Sequence, residues 1–245
     1  MITVDFQCLK LPAGSRILDI GCGSGRHVAA AYALDKACVV GADPNVGDLD
    51  QAKSRLRFHD QVGAHGNGSW SLAAADINRL PFADAAFDLV ICSEVLEHVP
   101  DHRGAMAEIV RVLKPGCPLV VSVPRRWPET LCWLISPRYR CLPGGHIRIY
   151  KADRLLRQVE SCGGRHWRTR FAHSLHSPFW WLKCMLGVQR ENLWPVQFYH
   201  RFLVWDMMRK PRLTRTLDRW LNPLMGKSVV LYFRKPEAVT TRLAR

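Results

Sequence analysis

Glu94, Glu97 and His98 stand at spacings i, i+3 and i+4. On one helical turn that spacing puts two carboxylates and an imidazole on a common face, a set that can move a proton or hold a hard divalent cation. His146 follows two glycines in Gly144-Gly145-His146-Ile147-Arg148-Ile149-Tyr150. Glycines let a loop approach a pocket closely, and an imidazole of near-neutral pKa is a natural general base. Near the start of the chain, Ile17-Leu18-Asp19-Ile20-Gly21-Cys22-Gly23-Ser24-Gly25 reads as a strand, a glycine turn and the opening of a helix.

That glycine turn is a ligand cradle, and its spacing says which kind. A dinucleotide fingerprint, G-x-G-x-x-G, would need its third glycine at Arg26, so that reading fails. The pattern present is D-x-G-x-G-x-G, with Asp19 two residues before Gly21 and with Cys22, Gly23 and Gly25 completing the turn. An acid there suits a ligand without phosphates and with a cationic amino-acid end, and S-adenosylmethionine is such a ligand. Asp43, followed by Pro44, closes the next apolar run 22 residues past Gly21, where a carboxylate can accept both ribose hydroxyls. Asp76 closes the third run, placed to accept from an adenine amino group while Ile77 covers a ring face, and Ser93 closes the fourth.

These residues need a scaffold, and the hydrophobic pattern supplies one. Strands are predicted at Arg16 to Ile20, Ala37 to Ala42, Trp70 to Ala75, Ala86 to Cys92 and Pro118 to Val123, with helices at Gly25 to Leu34, Val46 to Phe58 and Arg103 to Leu113. Such alternation implies a parallel sheet covered on both faces. After Pro124 the rhythm breaks. A helix at Ala152 to Ser161 and strands at Trp167 to Ala172 and Ser228 to Phe233 follow, and Ser174 to Lys227 reads as short helices broken at Pro178, Pro195, Pro211 and Pro223. The expectation is one domain over residues 1–245: a cofactor core (1–124), acceptor-side elements (125–173), a helical insertion (174–227) and a last strand (228–235).

The 245 residues carry 35 Lys and Arg against 21 Asp and Glu, and the excess lies at one end. Residues 1–124 hold 11 basic and 14 acidic side chains; residues 125–245 hold 24 and 7, with eight of the nine tryptophans. No run reaches the ~18 apolar residues of a membrane span and no leader pattern opens the chain, so a cytoplasmic protein is expected. Nine cysteines without a C-x-x-C pair argue against a disulfide framework or zinc ribbon and read as buried thiols.

The glycine turn with Asp43 and Asp76, continued by Leu80-Pro81-Phe82, Phe87-Asp88-Leu89-Val90, Ser93-Glu94-Val95-Leu96-Glu97-His98-Val99 and Arg111-Val112-Leu113-Lys114-Pro115-Gly116, resembles the class I S-adenosylmethionine-dependent methyltransferases over residues 14–124. Cys117 departs from the second glycine usual there. The resemblance implies an α/β, Rossmann-like seven-stranded sheet whose last strand is antiparallel. Glu-x-x-Glu-His is also similar to the motif of ubiquinone-pathway and small-RNA 3′-end methyltransferases, where acids and histidines hold a divalent metal. It implies Glu94, Glu97, His98 and His146 as ligands of Mg²⁺ or Mn²⁺. The bland alternative is a helix start and pocket wall, with His146 as the free base and His98 second.

The runs His173-Ser174-Leu175-His176-Ser177-Pro178-Phe179-Trp180-Trp181, Tyr199 to Asp206 and Asn222 to Ser228 resemble the actinobacterial sugar O-methyltransferases that cap methylated polysaccharides. That implies a saccharide acceptor met by Arg148, Tyr150, His173, His176, Trp180, Trp181 and Tyr199. Rings of this kind stack on sugars, and they equally suit lipids and quinones or form the insertion's own core. A lipid-like or quinone hydroxyl at a membrane surface, a nucleic-acid acceptor, a homodimer and a silent cofactor-binding subunit stay open as alternatives. The basic half lacks a recognisable nucleic-acid module.

Overall fold

β1 (Arg16–Ile20) is buried along its length after Arg16, as a central strand of a covered parallel sheet must be. The computed structural model describes residues 2–140, 145–190, 192–209 and 211–237. In chain order β1 is followed by α1 (Arg26–Tyr32), β2 (Cys38–Asp43), α2 (Val46–Gln61), β3 (Ser69–Ala74), β4 (Leu89–Ser93), α3 (His102–Val112), β5 (Pro118–Pro124), α4 (Arg126–Ile135), α5 (Pro137–Arg140), α6 (Ala152–Ser161), β6 (Arg165–Ala172), α7 (Ser177–Leu186), α8 (Trp194–Arg209), α9 (Arg212–Met225) and β7 (Ser228–Arg234). The sheet order is β3-β2-β1-β4-β5-β7-β6. β1 to β5 run parallel, and β7 is antiparallel to both β5 and β6. This is the expected Rossmann-like seven-stranded sheet, with α7, α8 and α9 inserted before the last strand.

Period-two alternation divides the core between the two faces. Val229, Leu231 and Phe233 of β7 pack in one cluster with Met106 and Ile109 of α3 and Leu155 and Val159 of α6. Val230 and Tyr232 pack in the other, with Val28 of α1 and Leu49 and Leu56 of α2. Each fully buried side chain of this size contributes about 1.5–3 kcal/mol. Motif residues outside the cofactor turn brace the scaffold. Arg111 binds Glu108 at 2.6 Å, Asp84 at 2.7 Å and the carbonyls of Leu80 and Phe82, while Lys114 pairs with Asp88 at 2.7 Å.

The structure corrects three local expectations. The fourth strand starts at Leu89, not Ala86, because the Ala86 and Phe87 amides both donate to the Val112 carbonyl and leave the ladder. Residues 126–135 form a helix the pattern did not announce: Pro128 lies in its first turn, where a missing N–H costs nothing. Pro223 does not break a helix but sits in the last turn of α9. The carbonyls there are taken up by Arg125 Nη1, which donates to Pro223 and Leu224 oxygens at 2.8 and 3.1 Å, and by Trp127 Nε1, at 3.1 Å from the Leu224 oxygen.

Candidate active site

A cleft of about 820 Å³ opens past the C-terminal ends of β1, β2, β3 and β4, the position at which parallel α/β sheets hold ligands. Gly21, Asp43, Pro44, Asp76 and Ile77 line it, joined by Asn45, Asp48 and Asn78, which sequence reasoning missed. Gly21 has φ +65°, and a Cβ there would lie 2.3 Å from Val95 Cγ2, so close approach at this turn requires glycine. Asp43 accepts from the Gly23 amide at 2.8 Å and the Asn45 amide at 2.9 Å, which fixes its carboxylate at the rim. Asp76 is oriented the same way by the Asn78 amide at 2.9 Å.

Other expected cofactor residues stand behind this wall. Asp19 is almost fully buried, with Oδ2 lacking a partner among the described residues, and burial pushes its carboxyl up to about 8. Cys22 is buried in the core, Gly25 caps α1 in a left-handed conformation, and Ser93 Oγ meets Ser122 Oγ at 2.8 Å. Among the described residues no Lys or Arg lines the cleft. Carboxylates, an orphaned buried acid and a glycine cradle fit a cationic nucleoside such as S-adenosylmethionine and disfavour a phosphorylated ligand.

The chemical residues meet at the far end of the cleft, whose wall includes Glu94 and His98. They do not share a helical turn. Glu94 adopts φ +59°, a left-handed conformation rare outside glycine, and the first helix after β4 begins only at His102, capped by Asp101. The chain between is a turn in which Glu97 points into the interior and His98 toward solvent. Glu94 therefore leaves the set: its Oε1 accepts from Ser122 Oγ at 3.1 Å. Burial raises its pKa, with Lys227 and the hydroxyls of Ser122 and Ser228 acting the other way.

Arg148 builds the rest of the site. Its guanidinium donates to the carbonyls of Leu96, Val99 and Pro100, and the Ile147 amide donates to the Glu97 carbonyl at 3.1 Å. Zipping these segments together brings the His146 ring 5.1 Å from that of His98, whose Nδ1 donates to the Gly145 carbonyl at 3.3 Å. Donor atoms of Glu97, His98 and His146 lie within 4.8 Å of one another. Glu97 is wholly buried and neither carboxylate oxygen has a partner among the described residues. Burial, then the Glu94 carboxylate, holds it well above the usual carboxylate range. His98 is pushed below its ordinary value, first by burial and then by His146.

Glu129, in α4, is the residue the sequence did not disclose. Its Oε1 lies 2.6 Å from His146 Nδ1, and its Oε2 accepts from Tyr139 at 3.4 Å. Nothing in Trp127-Pro128-Glu129-Thr130 marks it, since α4 itself went unread. Lys227 was also missed: its ammonium lies 4.8 Å from the Trp180 ring centroid.

The expected acceptor residues are dispersed. Arg148 clamps the turn after β4, and Tyr150 is buried with its hydroxyl toward the Leu96 carbonyl. Trp180 lines a cavity of about 400 Å³ with Phe179, Lys183 and His200, while Trp181 donates to the Pro128 carbonyl and packs on Trp127. Both tryptophans pack on a small satellite core containing Cys132, Tyr139 and Cys184. Tyr199 donates to the Leu175 carbonyl at 3.0 Å. His173 and His176 line a separate cavity of about 320 Å³ with Asp206 and Asp218. Of the motif around His146, Gly144 lies outside the described residues.

Residues 18–121 match the family described as a methyltransferase domain. Methyltransferase GfsG of Streptomyces halstedii is 35% identical over 120 residues, covering 48% of this chain and 40% of that protein. A ubiquinone biosynthesis O-methyltransferase of Hahella chejuensis is 37% identical over 123 residues, 50% of this chain and 48% of that one. The chain thus spans less than half the length of these relatives. A SAM-dependent methyltransferase structure from Methanosarcina mazei covers 97% of this chain and 100% of its own at a TM-score of 0.61 and 17% identity, a likeness of fold. Sheet order, cleft and the match of residues 18–121 to a methyltransferase domain agree with one another, and the fold is that of solved S-adenosylmethionine-dependent methyltransferases.

Proposed function

We propose that this protein transfers a methyl group from S-adenosylmethionine to a hydroxyl of a saccharide acceptor. The observation that carries the reading is the His146–Glu129 pair at 2.6 Å, beside the end of the cleft that His98 and Glu94 form. Bound there, S-adenosylmethionine supplies a methyl group already activated by its sulfonium. A neutral amine needs no base before it attacks such a carbon, whereas a hydroxyl must lose its proton in the transfer. Glu129 holds the imidazole in the tautomer that leaves Nε2 to accept that proton and steadies the imidazolium that forms. As the acceptor oxygen bonds to the methyl carbon, the carbon–sulfur bond breaks, S-adenosylhomocysteine departs and the proton rests on His146. The cavity beside Trp180, with Phe179 and His200 as ring surfaces and Asn192, Gln197 and Lys183 at its edge, suits a sugar. Incubating the purified chain with methyl-labelled cofactor and an acceptor panel of oligosaccharides, quinols and RNA tests the reading; label in a saccharide methyl ether supports it, and label only in another class overturns it.

A divalent cation is the alternative use of the same residues, in which His146 Nε2 would be a ligand and not the free base. Glu97, His98 and His146 offer one hard oxygen and two imidazole nitrogens, a donor set that fits Mn²⁺ or Mg²⁺. Neither oxygen of the buried Glu97 carboxylate has a hydrogen-bond partner among the described residues. Such a cation would chelate adjacent hydroxyls and acidify the reacting one, with Glu129 bracing the His146 ligand.

One observation favours a second acceptor class, a lipid-like or quinone hydroxyl. A cavity of about 830 Å³ is walled largely by apolar side chains, among them Trp127, Leu131, Leu134, Phe171 and Val229. Label appearing in a quinol rather than an oligosaccharide would select it.

A further inference from the structure

A surface helix of a globular protein normally lays its apolar stripe on the core and its charges in water. α9 instead turns its apolar stripe outward as well. Leu213, Leu217, Trp220 and Leu224, at i, i+4, i+7 and i+11, fall within an arc of about 60° at 100° per residue, and all four are exposed, Leu213 to 80% and Trp220 to 79%. The one buried residue of the helix is Thr214. What fastens α9 to the body is polar: Asp218 accepts from Ser174 Oγ at 2.7 Å, Asn222 Oδ1 from the Ser174 amide at 3.0 Å, and the Met225 carbonyl from Ser177 Oγ at 2.7 Å. α8, joined to it through Pro211, repeats the arrangement. Val196 and Leu203 are its buried residues, and Trp194, Phe198, Trp205 and Met208 form an exposed stripe on the opposite side.

Charge says what such a face meets. From Ser177 to Gly226 the sequence holds eight Lys or Arg and three Asp or Glu. Arg201, Arg209, Arg212 and Arg219 are exposed on the stripes or at their flanks, and among the described residues none of them forms an ion pair. The two acids among the described residues turn away from the stripes: Asp218 binds Ser174, and Asp206 lines a cavity with His176. A second copy of a chain with formal charge +14 would bring arginines against arginines. An anionic bilayer instead offers hydrocarbon to the leucines, an interfacial zone to the tryptophans and lipid phosphates to the arginines.

We propose that the α8–α9 face is a docking surface by which this protein lies on the surface of an anionic lipid bilayer. No helix of the described residues is long and apolar enough to cross a membrane, and none is needed for a peripheral contact. Through Gly226 the docked helix runs directly into Lys227, beside Trp180, so the insertion's cavities lie near the lipid surface. The inference stands whichever acceptor is methylated.

The test is sedimentation of the full chain with vesicles of phosphatidylcholine alone and with about one-third phosphatidylglycerol. Binding at least about tenfold stronger to the anionic vesicles, weakened by 0.5 M salt, is expected. Leu217→Glu with Trp220→Glu should weaken it about tenfold or more, as should Arg212→Glu with Arg219→Glu. All four side chains are exposed, so cofactor affinity by calorimetry and melting temperature should stay as in the parent. Equal binding to both vesicle types, or binding unchanged in both variants, overturns the proposal. So does a dimer in analytical ultracentrifugation that Leu217→Glu with Trp220→Glu dissociates, which would assign the face to a second copy.

Discussion

Glu129 Oε1 and His146 Nδ1 lie 2.6 Å apart, joining the first half of α4 to the segment zipped against the turn after β4. Glu129 is 3% exposed, so its carboxylate is shielded from water and the imidazole is the group positioned to satisfy it. The pair gives His146 an orientation that a histidine on a free loop would lack.

His146→Ala should therefore lower kcat by about 10²- to 10⁴-fold, the range for loss of a general base, with cofactor affinity unchanged. Glu129→Gln keeps the shape but not the charge and should cost less. In a pH–rate profile the ascending limb should vanish in His146→Ala. An unaltered limb in that variant would remove His146 from proton transfer.

Glu97 must be neutralised inside the protein, by a proton or by a cation. With a cation, EDTA abolishes turnover, Mg²⁺ or Mn²⁺ restores it, and Glu97→Ala is nearly inactive while still binding S-adenosylmethionine. Full activity after exhaustive chelation would leave Glu97 as a buried neutral acid and His146 as the unassisted base.

Asp43 lies at the cleft rim, oriented by the Gly23 and Asn45 amides. Asp43→Ala should weaken S-adenosylmethionine by about 1.5–3 kcal/mol, the cost of losing a hydrogen bond to a charged group. Titration calorimetry measures this directly; an unchanged affinity would place the ribose elsewhere.

Asp19, held at about 8 by burial, is mostly protonated at neutral pH in the ligand-free protein. In the unfolded chain it ionises near its ordinary value, so between there and about pH 8 the native state binds more protons. This group therefore lowers stability as pH rises through that window and adds no further change above it. A cationic amino group bound nearby reverses the shift. Cofactor binding at pH 7 should then release up to one proton, read as a difference in apparent enthalpy between buffers of different ionisation heat. The release should disappear in Asp19→Asn. Equal enthalpies in the parent protein would separate Asp19 from the ligand's ammonium.

Trp180 touches both the insertion and the dyad's surroundings, with its ring 5.8 Å from that of Tyr139 and cations of Lys183 and Lys227 over its face. Trp180→Ala should raise acceptor KM severalfold with cofactor affinity intact, and Trp180→Phe should restore part of it. Loss of the melting transition with both ligands unbound would make the ring a core residue of the insertion alone.

The sequence by itself determined the parts whose partners are neighbours along the chain. Asp19 to Gly25, Asp43 and Asp76 were legible because a strand end, a glycine turn and a helix start are local, and parallel strands bring their C-terminal ends to one edge. Apolar alternation likewise marked every strand of the sheet. Tertiary packing alone decided the rest. The spacing of Glu94, Glu97 and His98 promised a shared face, but a left-handed backbone at Glu94 turned that acid toward Ser122. Arg148 looked like an acceptor ligand, and three carbonyls from a segment about fifty residues away claimed it instead. Glu129 reached His146 only because α4, a helix no periodic signal announced, packs beside that loop. The leucine stripe of α9 was written in the sequence, but which side of it meets the protein was not, since periodicity names a face and only the surrounding contacts choose its partner.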